Sequence, residues 1–374
     1  MWRAVPIAVA LSCLAAGALA QSEETAFPDL LAPVDGGTEA LDIRVEFDPE
    51  REGSLRWSDE ISRFGTNYIR LHLRSAGAPF PEGARFVILP DGGQQMDVDL
   101  TGIGEDGVWS PMIIGGRARI AVISEELPLD AVLLIDQIAL ETAGITLYSA
   151  HGRNDIRPVH DKNSPPVVAA LAPSVALLSF IEGGRSVSCT GFLVAPDVIM
   201  TNEHCVSSDA ACASLTAVFG YEADAKGRLG QGPQASCMAF DPTWSNPAWD
   251  VTAFRIAPPP GDDFPPLQIA APTTEPPSGE LVVIQHPGAV PKHVSFIECS
   301  FDTWPVDGRE PGSDFSHTCD TAKGSSGAPV FDLDGNLVGV HHFGFQDAPN
   351  DFWTENRAVR IAPIAEWLAE TGIP

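Results

Sequence analysis

The first third of the chain alternates apolar and polar side chains. Residues 69–74 alternate aliphatic side chains with arginine or histidine, and residues 96–100 alternate apolar side chains with aspartate. A period of two is typical of strands that bury one side and expose the other. Three more apolar runs are separated by glycine- and proline-containing turns, at residues 85–89, 117–124 and 132–142. Short strands at this spacing predict a β-sandwich-like N-terminal domain over residues 41–148, acting as an accessory domain or a pro-domain.

Changes of pattern also mark the boundaries of the later segments. Residues 149–166 are polar and end in two prolines, which indicates a linker to a second region at residues 167–374. Near the end of that region, apolar residues recur at helical spacing: Ile361, Ile364, Ala365 and Leu368. A glycine follows at position 372, and the combination predicts a short C-terminal helix.

Length and charge limit the possible functions. With 374 residues the chain can form two domains. Its formal net charge of −28 argues against nucleic acid as a partner, because a polyanion is bound by clustered lysine and arginine. Acidity of this kind helps to keep a protein in solution.

The first 20 residues have the pattern of a targeting segment. An early arginine precedes an apolar stretch that ends in Ala18-Leu19-Ala20, which predicts a secretory signal peptide cleaved before Gln21. A membrane anchor is the competing interpretation, but the stretch is short for a spanning helix. Residues 21–40 are predicted to be a polar leader. We therefore expect a secreted or periplasmic protein with no transmembrane segment after processing.

Three short motifs carry the residue types of nucleophilic catalysis. His204 lies in Thr-Asn-Glu-His-Cys, Asp250 ends a turn with tryptophan and proline, and Ser326 lies in Gly-Ser-Ser-Gly-Ala-Pro. A serine hydroxyl becomes a nucleophile when a nearby base removes its proton, and a carboxylate can hold the imidazole base in the required tautomer. The small residues of the serine turn allow the amides of Gly324 and Ser326 to point at one place, as an oxyanion hole requires. The motifs predict a His204–Asp250–Ser326 triad.

In these motifs the chain resembles the trypsin-like serine peptidases, and most closely their bacterial glutamyl endopeptidase branch. The resemblance covers about residues 150–370. Residues 189–194 are similar to the strand before the catalytic histidine, and residues 339–344 to the strand that lines the substrate. The resemblance implies an all-β fold for residues 167–374, a two-barrel chymotrypsin-like protease domain. It also implies an endopeptidase that forms an acyl-enzyme on peptide or protein substrates and uses no cofactor or metal.

Within this domain, the apolar runs and turns suggest where each barrel lies. Residues 175–256 would form the first barrel, with His204 and Asp250, and residues 280–344 the second, with Ser326. The proline-rich residues 257–279 would cross between them.

Two residues depart from the pattern of the trypsin-like family. Many trypsins carry an aspartate just before the nucleophile, which pairs with a new N-terminal amine, but Ser325 stands here. Glu203 directly precedes the predicted catalytic histidine. Residues 152–159 are also similar to the first residues of mature glutamyl endopeptidases, although a plain surface loop is an equal interpretation.

Six cysteines remain after removal of the signal peptide, and an exported chain permits disulfides. The resemblance implies a Cys189–Cys205 bridge beside His204. Pairing of nearest neighbours then suggests two further bridges, Cys212–Cys237 and Cys299–Cys319. A zinc site is the alternative, but no Cys-x-x-Cys spacing occurs.

The residues at the positions that would select the substrate indicate two different specificities. His341 and Thr321 stand where the glutamyl branch holds a glutamate side chain, and hydroxyl and imidazole groups can donate to a carboxylate. Asp320 stands where trypsins bind lysine or arginine. We expect cleavage after glutamate, with cleavage after lysine or arginine as the alternative. A non-catalytic binding protein on the protease fold is a hypothesis of another class.

Overall fold

The computed structural model describes residues 36–47, 52–126, 130–142, 147–150, 153–269, 279–347 and 352–373. The predicted signal peptide and residues 21–35 of the predicted leader lie outside these ranges. Among the described residues, no helix combines the length and the hydrophobicity needed to cross a bilayer.

The N-terminal region is a β-sandwich, as predicted. Its strands are β1 (Gly36–Val45), β2 (Leu55–Ser62), β3 (Thr66–Gly77), β4 (Arg85–Pro90), β5 (Met96–Asp99), β6 (Val108–Trp109), β7 (Ile113–Ile114), β8 (Arg117–Ile123) and β9 (Ala131–Thr142). One antiparallel sheet has the order β1-β9-β3-β6, with β7 also paired to β3, and the second has the order β2-β8-β4-β5. Apolar side chains from both sheets, such as Leu71, Phe86, Ile120 and Ile135, form one buried core.

Two details of this region differ from the sequence pattern. Strand β1 begins at Gly36, inside the segment predicted to be a polar leader, and its residues pair with β9 from Glu141 onwards. Arg70 belongs to the polar side of an alternating strand, yet it is 1% exposed. Its guanidinium donates to the carbonyls of Ser110 and Ser179, so this side of β3 faces protein instead of solvent.

The first barrel of residues 167–374 follows two short strands and a helix. The elements are β10 (Leu147–Ser149), β11 (Arg157–Pro158), α1 (Val167–Leu171), β12 (Val175–Glu182), β13 (Arg185–Ala195), β14 (Val198–Thr201), α2 (Asp209–Ser214), β15 (Thr216–Phe219), β16 (Gln234–Ala239), β17 (Ser245–Asn246) and β18 (Val251–Ala257). The strand order β14-β13-β12-β15-β16-β18 closes on itself because β14 also pairs with β18.

The second barrel and a helix complete the chain. Its elements are β19 (Leu281–Gln285), β20 (His293–Ser295), β21 (Asp314–His317), β22 (Thr321–Ala322), β23 (Pro329–Asp332), β24 (Leu337–Asp347), β25 (Phe352–Arg360) and α3 (Ile361–Thr371). The sheet order is β11-β20-β19-β23-β24-β25-β21. Two isolated β-bridges pair Ser300 with Glu280, just before β19, and Phe301 with His317, at the end of β21. Residues 300–301 thus connect β19 to β21. The C-terminal helix predicted from the apolar spacing is confirmed, and it buries Ile364, Trp367 and Leu368.

A buried polar cluster joins the sandwich to the first barrel. The Tyr68 hydroxyl lies 3.0 Å from the Ser179 hydroxyl of β12, and the Arg70 guanidinium lies 3.1 Å from the Ser179 carbonyl. Burial, together with the nearby Glu141 carboxylate, raises the pKa of Tyr68, so its hydroxyl stays protonated and can donate. A second contact joins Gln234 of β16 to Met112, which lies between β6 and β7 of the sandwich. The Gln234 side chain accepts from the Met112 amide and donates to the Met112 carbonyl.

The segment predicted as a linker, together with the residues just before it, packs on the second barrel. Strand β10 pairs with β22, and β11 pairs with β20. The chain between the sandwich and the first barrel therefore runs along the second barrel, next to the residues that precede Ser326.

All three predicted disulfides are present. Cys189–Cys205 joins β13 to the loop that carries His204, and its Cα atoms are 6.3 Å apart. Cys212–Cys237 fastens α2 to β16, and Cys299–Cys319 joins two loops of the second barrel.

The buried cluster between the sandwich and the first barrel predicts a stability effect. Replacing Tyr68 by phenylalanine should lower the free energy of unfolding by about 1–2 kcal/mol, because Ser179 loses a partner in a site without water access. Tyr221→Phe is the matched control, since the Tyr221 hydroxyl is buried without a hydrogen-bond partner among the described residues. Denaturant unfolding of both variants measures the difference. Equal losses would show that the Tyr68 contact contributes nothing specific.

Candidate active site

His204 lies in the loop that leaves β14 and faces Asp250. Its Nδ1 atom is 2.8 Å from Asp250 Oδ2, and its backbone amide donates to Asp250 Oδ1 over 3.0 Å. The loop is held from both ends, by the Cys189–Cys205 bridge and by the Asn202 side chain, which donates to the Asp250 carbonyl. Backbone and side chain of His204 are thus both fixed to one carboxylate.

Asp250 lies immediately before β18 in a left-handed backbone conformation, with φ of 54°. Aspartate adopts this region more readily than most residues, and the conformation turns its side chain toward the histidine loop. The residue is fully buried. Burial alone would raise the pKa of Asp250, but the charge and hydrogen bonds of His204 and His342 outweigh that effect and hold this pKa below its usual value. The carboxylate is therefore ionised at neutral pH.

Ser326 lies on a tight turn between β22 and β23, clamped by both barrels. Its carbonyl accepts from the Thr190 amide of β13, and the Thr190 hydroxyl donates to the Gly324 carbonyl over 2.8 Å. On the other side, the Gly327 amide donates to the His341 carbonyl. The position of the turn thus depends on the first barrel as much as on the second.

Of the three residues predicted to form a triad, the structure brings two into contact. His204 and Asp250 are bonded, but His204 Nε2 is buried without a hydrogen-bond partner among those residues, so it is not bonded to the Ser326 hydroxyl. Hydrogen bonds of this kind are often long in a free enzyme and shorten when substrate binds. Among the described residues, the amides of Gly324 and Ser326 form no hydrogen bond.

The residues expected to select the substrate fall into two groups. Thr321 and His341 belong to one buried wall: the Thr321 hydroxyl lies 3.1 Å from the Asn356 side chain, and His341 Nδ1 lies 3.3 Å from His317 Nε2. Residues 317 and 356 pair across β21 and β25, which connects the two contacts. Asp320 is placed differently, because its carboxylate accepts from the Asp155 amide over 2.6 Å.

Charge also distinguishes His341 from its neighbour in sequence. Burial, and the nearby His317, His342 and His204 rings, place the pKa of His341 well below its usual value, so this ring is neutral in the free protein. For His342, burial alone would lower the pKa, but Asp314 and the hydrogen bond to Asp250 raise it to about 9. A bulge in the pairing of β24 with β25 at this point places two consecutive histidines in the interior.

The two departures from the family pattern have structural partners. The Ser325 hydroxyl donates to the side chain of Gln285, at the end of β19, and accepts from the Ala322 amide, so it has both a donor and an acceptor partner. Glu203 binds Arg309 with a nitrogen–oxygen distance of 2.9 Å.

Sequence reasoning missed the charged surroundings of Asp250, namely His342 and Arg309, and Asp314 behind His342. The His341-His342 doublet was visible, but a strand pattern assigns consecutive residues to opposite faces and does not reveal a bulge.

One grouping of possible metal ligands occurs among the described residues, formed by Cys189, His204 and Cys205. Both sulfurs are bonded to each other in a disulfide, which removes the thiolates that a zinc ion would bind.

Comparison with known proteins shows what this part of the chain is similar to. Residues 189–340 match the trypsin-like peptidase domain. This part of the chain is similar to trypsin-like peptidases, and the resemblance to that family predicted from the motifs is confirmed. The match includes His204, Asp250 and Ser326.

Individual relatives are more distant. The uncharacterized protein y4fB of Sinorhizobium fredii is 35% identical over 207 residues, which cover 49% of this chain and 31% of that protein. The chain thus spans about a third of the length of this curated relative. Among solved structures, a Glu endopeptidase in complex with MPD is 22% identical and covers 60% of this chain and 99% of its own, with a TM-score of 0.44. The active form of the Rv3671c protease from M. tuberculosis is 22% identical and covers 60% of this chain and 93% of its own, with a TM-score of 0.41.

The clamp around the serine turn predicts that Gly327 cannot be replaced. Its φ is 83°, and an added Cβ would lie 2.2 Å from the Thr190 carbonyl. Gly327→Ala should therefore displace the turn, destabilise the protein by at least about 2 kcal/mol and abolish peptidase activity. The control is Gly183→Ala, which has a φ of 56° and open space around it, with an expected cost of about 1 kcal/mol and unchanged activity. Parallel unfolding and activity measurements compare the two, and parental activity in Gly327→Ala would contradict the clamp.

Proposed function

We propose that this chain is an exported serine endopeptidase that uses Ser326 as nucleophile, His204 as general base and Asp250 as the residue that orients His204. The observation that carries the proposal is the 2.8 Å contact between His204 Nδ1 and buried Asp250, because it leaves Nε2 as the nitrogen that can take a proton. The trypsin-like peptidase domain at residues 189–340 supports the reaction class.

The reaction would follow from these positions. The Ser326 oxygen forms a bond to the peptide carbonyl carbon while its proton moves to His204 Nε2. The carbonyl oxygen becomes an oxyanion that accepts from the amides of Gly324 and Ser326, each contact being worth roughly 3–4 kcal/mol in comparable sites. The carbon–nitrogen bond then breaks as Nε2 gives the proton to the leaving amine. Water attacks the resulting ester by the same route and regenerates the serine.

Export is part of the proposal. Six cysteines joined in three disulfides fit an oxidising compartment outside the cytoplasm, as the pattern of residues 1–20 also does.

We also propose that the enzyme cleaves after glutamate. His341 and Thr321 lie on one wall, and a substrate carboxylate reaching His341 would favour its protonated, more strongly donating form. The rival preference for lysine or arginine needs the Asp320 carboxylate in the pocket, but this group binds the Asp155 amide.

The catalytic proposal is tested with Ser326→Ala and His204→Ala. Each should lower kcat/KM on a peptide substrate by roughly 10⁴-fold or more, because members of a triad act as a unit. Ser236→Ala, at an exposed serine of the first barrel, is the matched control and should match the parent. Near-parental turnover in either triad variant would exclude this mechanism, and absence of turnover in a fully folded parent on a broad peptide library would favour the non-catalytic binding protein.

The specificity proposal is tested separately on peptides that differ only in the residue before the scissile bond. His341→Ala should lower kcat/KM at least about tenfold more for glutamate than for glutamine substrates, because only the former carries the charge that the ring would bind. His160→Ala is the control, since His160 is exposed and pairs with Glu222. A lysine or arginine preference that disappears in Asp320→Ala would overturn the proposal in favour of its rival.

A further inference from the structure

The Asp250 carboxylate contacts two cationic side chains besides His204. His342 Nδ1 lies 3.2 Å from Asp250 Oδ2, and Arg309 Nη2 lies 3.0 Å from Asp250 Oδ1. His342 belongs to β24, and Arg309 lies in the loop between β20 and β21. Both therefore come from the second barrel, whereas His204 and Asp250 come from the first.

The protonation state of His342 follows from its contacts. Its other ring nitrogen lies 2.7 Å from Asp314 Oδ2, so the fully buried ring stands between two carboxylates. An ionised carboxylate only accepts hydrogen bonds, and a ring that donates to one on each side carries a proton on both nitrogens. Asp314 and the hydrogen bond to Asp250 raise the pKa of His342 to about 9 against the effect of burial, so with these two contacts the ring is an imidazolium at neutral pH.

The neighbours of the second carboxylate, Asp314, also accommodate it in the interior. Asp314 is fully buried and accepts from the Ser313 hydroxyl over 2.6 Å. A Cβ at Gly308 would lie 2.1 Å from the Asp314 carboxylate, so glycine at this position makes room for it.

The Arg309 guanidinium contacts three groups. One nitrogen binds Asp250, and the other donates to Glu203 and to the Pro247 carbonyl, each over 2.9 Å. Its side chain is 21% exposed, and that of Glu203 is 17% exposed. The residue before His204 thus fixes an arginine from the opposite barrel beside the carboxylate that orients His204.

We propose that His342 and Arg309 are positioning residues for the reaction, acting on His204 through Asp250. This inference rests on the proposed triad. The two donors hold the Asp250 carboxylate at the rotation in which Oδ2 faces His204 Nδ1. A carboxylate with fixed donors on both oxygens cannot turn away when His204 moves toward Ser326.

Charge gives the arrangement a second role. Asp250, Asp314 and Glu203 contribute three negative charges, and His342 and Arg309 contribute two positive ones; we call these five residues the Asp250 cluster. The Asp250 cluster therefore carries a net charge of about −1, which the proton taken up by His204 neutralises during the reaction. Groups oriented in advance toward a developing charge are the main source of electrostatic catalysis.

The same charges determine how the reaction depends on pH. Asp250 contacts the His204 ring, Glu203 precedes it in its loop, and His341 of β24 interacts with it electrostatically. His342 and Arg309 are connected to His204 through Asp250, and Asp314 is connected through His342. Removing a cation from this set strengthens the negative field at His204 and favours its protonated form. The acid limb of the kcat/KM profile should then move to higher pH.

The experiment compares the full chain with His342→Gln, Arg309→Met and Arg309→Lys on one peptide substrate across pH. His342→Gln and Arg309→Met should lower kcat at least about tenfold with KM changed less than about threefold, and both should move the acid limb to higher pH. Arg309→Lys keeps the charge and should restore the position of the limb. Arg255→Met removes an arginine from an exposed pair with Asp197 and should match the parent.

Ser326→Ala in the same assay distinguishes the possible failures. If it is inactive while His342→Gln and Arg309→Met keep parental kcat and an unmoved acid limb, the positioning role is excluded and the proposed function stands. If it is active, the triad is excluded and the positioning role with it. If His342→Gln fails to fold, Arg309→Met and Arg309→Lys decide, since the Arg309 side chain reaches the surface. A loss of stability with unchanged kcat and acid limb would mean a structural role only and would overturn the inference.

Discussion

The buried carboxylate of Asp250 is the point on which the two barrels and the proposed chemistry converge. An isolated buried carboxylate is costly, and it persists only where donors and cations surround it. Here the first barrel supplies the His204 amide and ring, and the second supplies His342 and Arg309. The carboxylate therefore both orients the proposed base and connects the barrels. The Ser326 turn also connects the two barrels, with their roles exchanged. Here Thr190, on a strand of the first barrel, holds a loop of the second barrel.

Much of this architecture was predictable because it depends on local pattern. The two-residue period predicted β3 and β5, and the helical spacing predicted α3. The order of His204, Asp250 and Ser326 predicted the trypsin-like region that the family match confirms. Two disulfides followed from pairing neighbours in an even set of cysteines. The sandwich was confirmed for a similar reason, since alternation on several short strands requires two sheets that share one core.

The remaining features depend on contacts between segments distant in sequence. Nothing local to Arg70 shows that its carbonyl partner lies on Ser179, 109 residues later. The bulge that buries His342 depends on the pairing of two strands, and the partner of Asp320 is an amide of the segment between the domains. That last contact bears on the proposed substrate choice, because the segment before the first barrel lies on the residues that precede Ser326. The sandwich, the connecting segment and the residues proposed to select the substrate are therefore in continuous contact.

The most direct test of Ser326 as an activated nucleophile is covalent labelling with a fluorophosphonate, followed by peptide mass mapping. Such a reagent bonds to a serine only when a neighbouring base removes its proton. We expect one stoichiometric adduct on the peptide that contains Ser326, and its loss in His204→Ala, which keeps the serine but lacks the base. An adduct on Ser325 or on another residue, or equal labelling of His204→Ala, would contradict a nucleophile activated by His204 and oriented through Asp250.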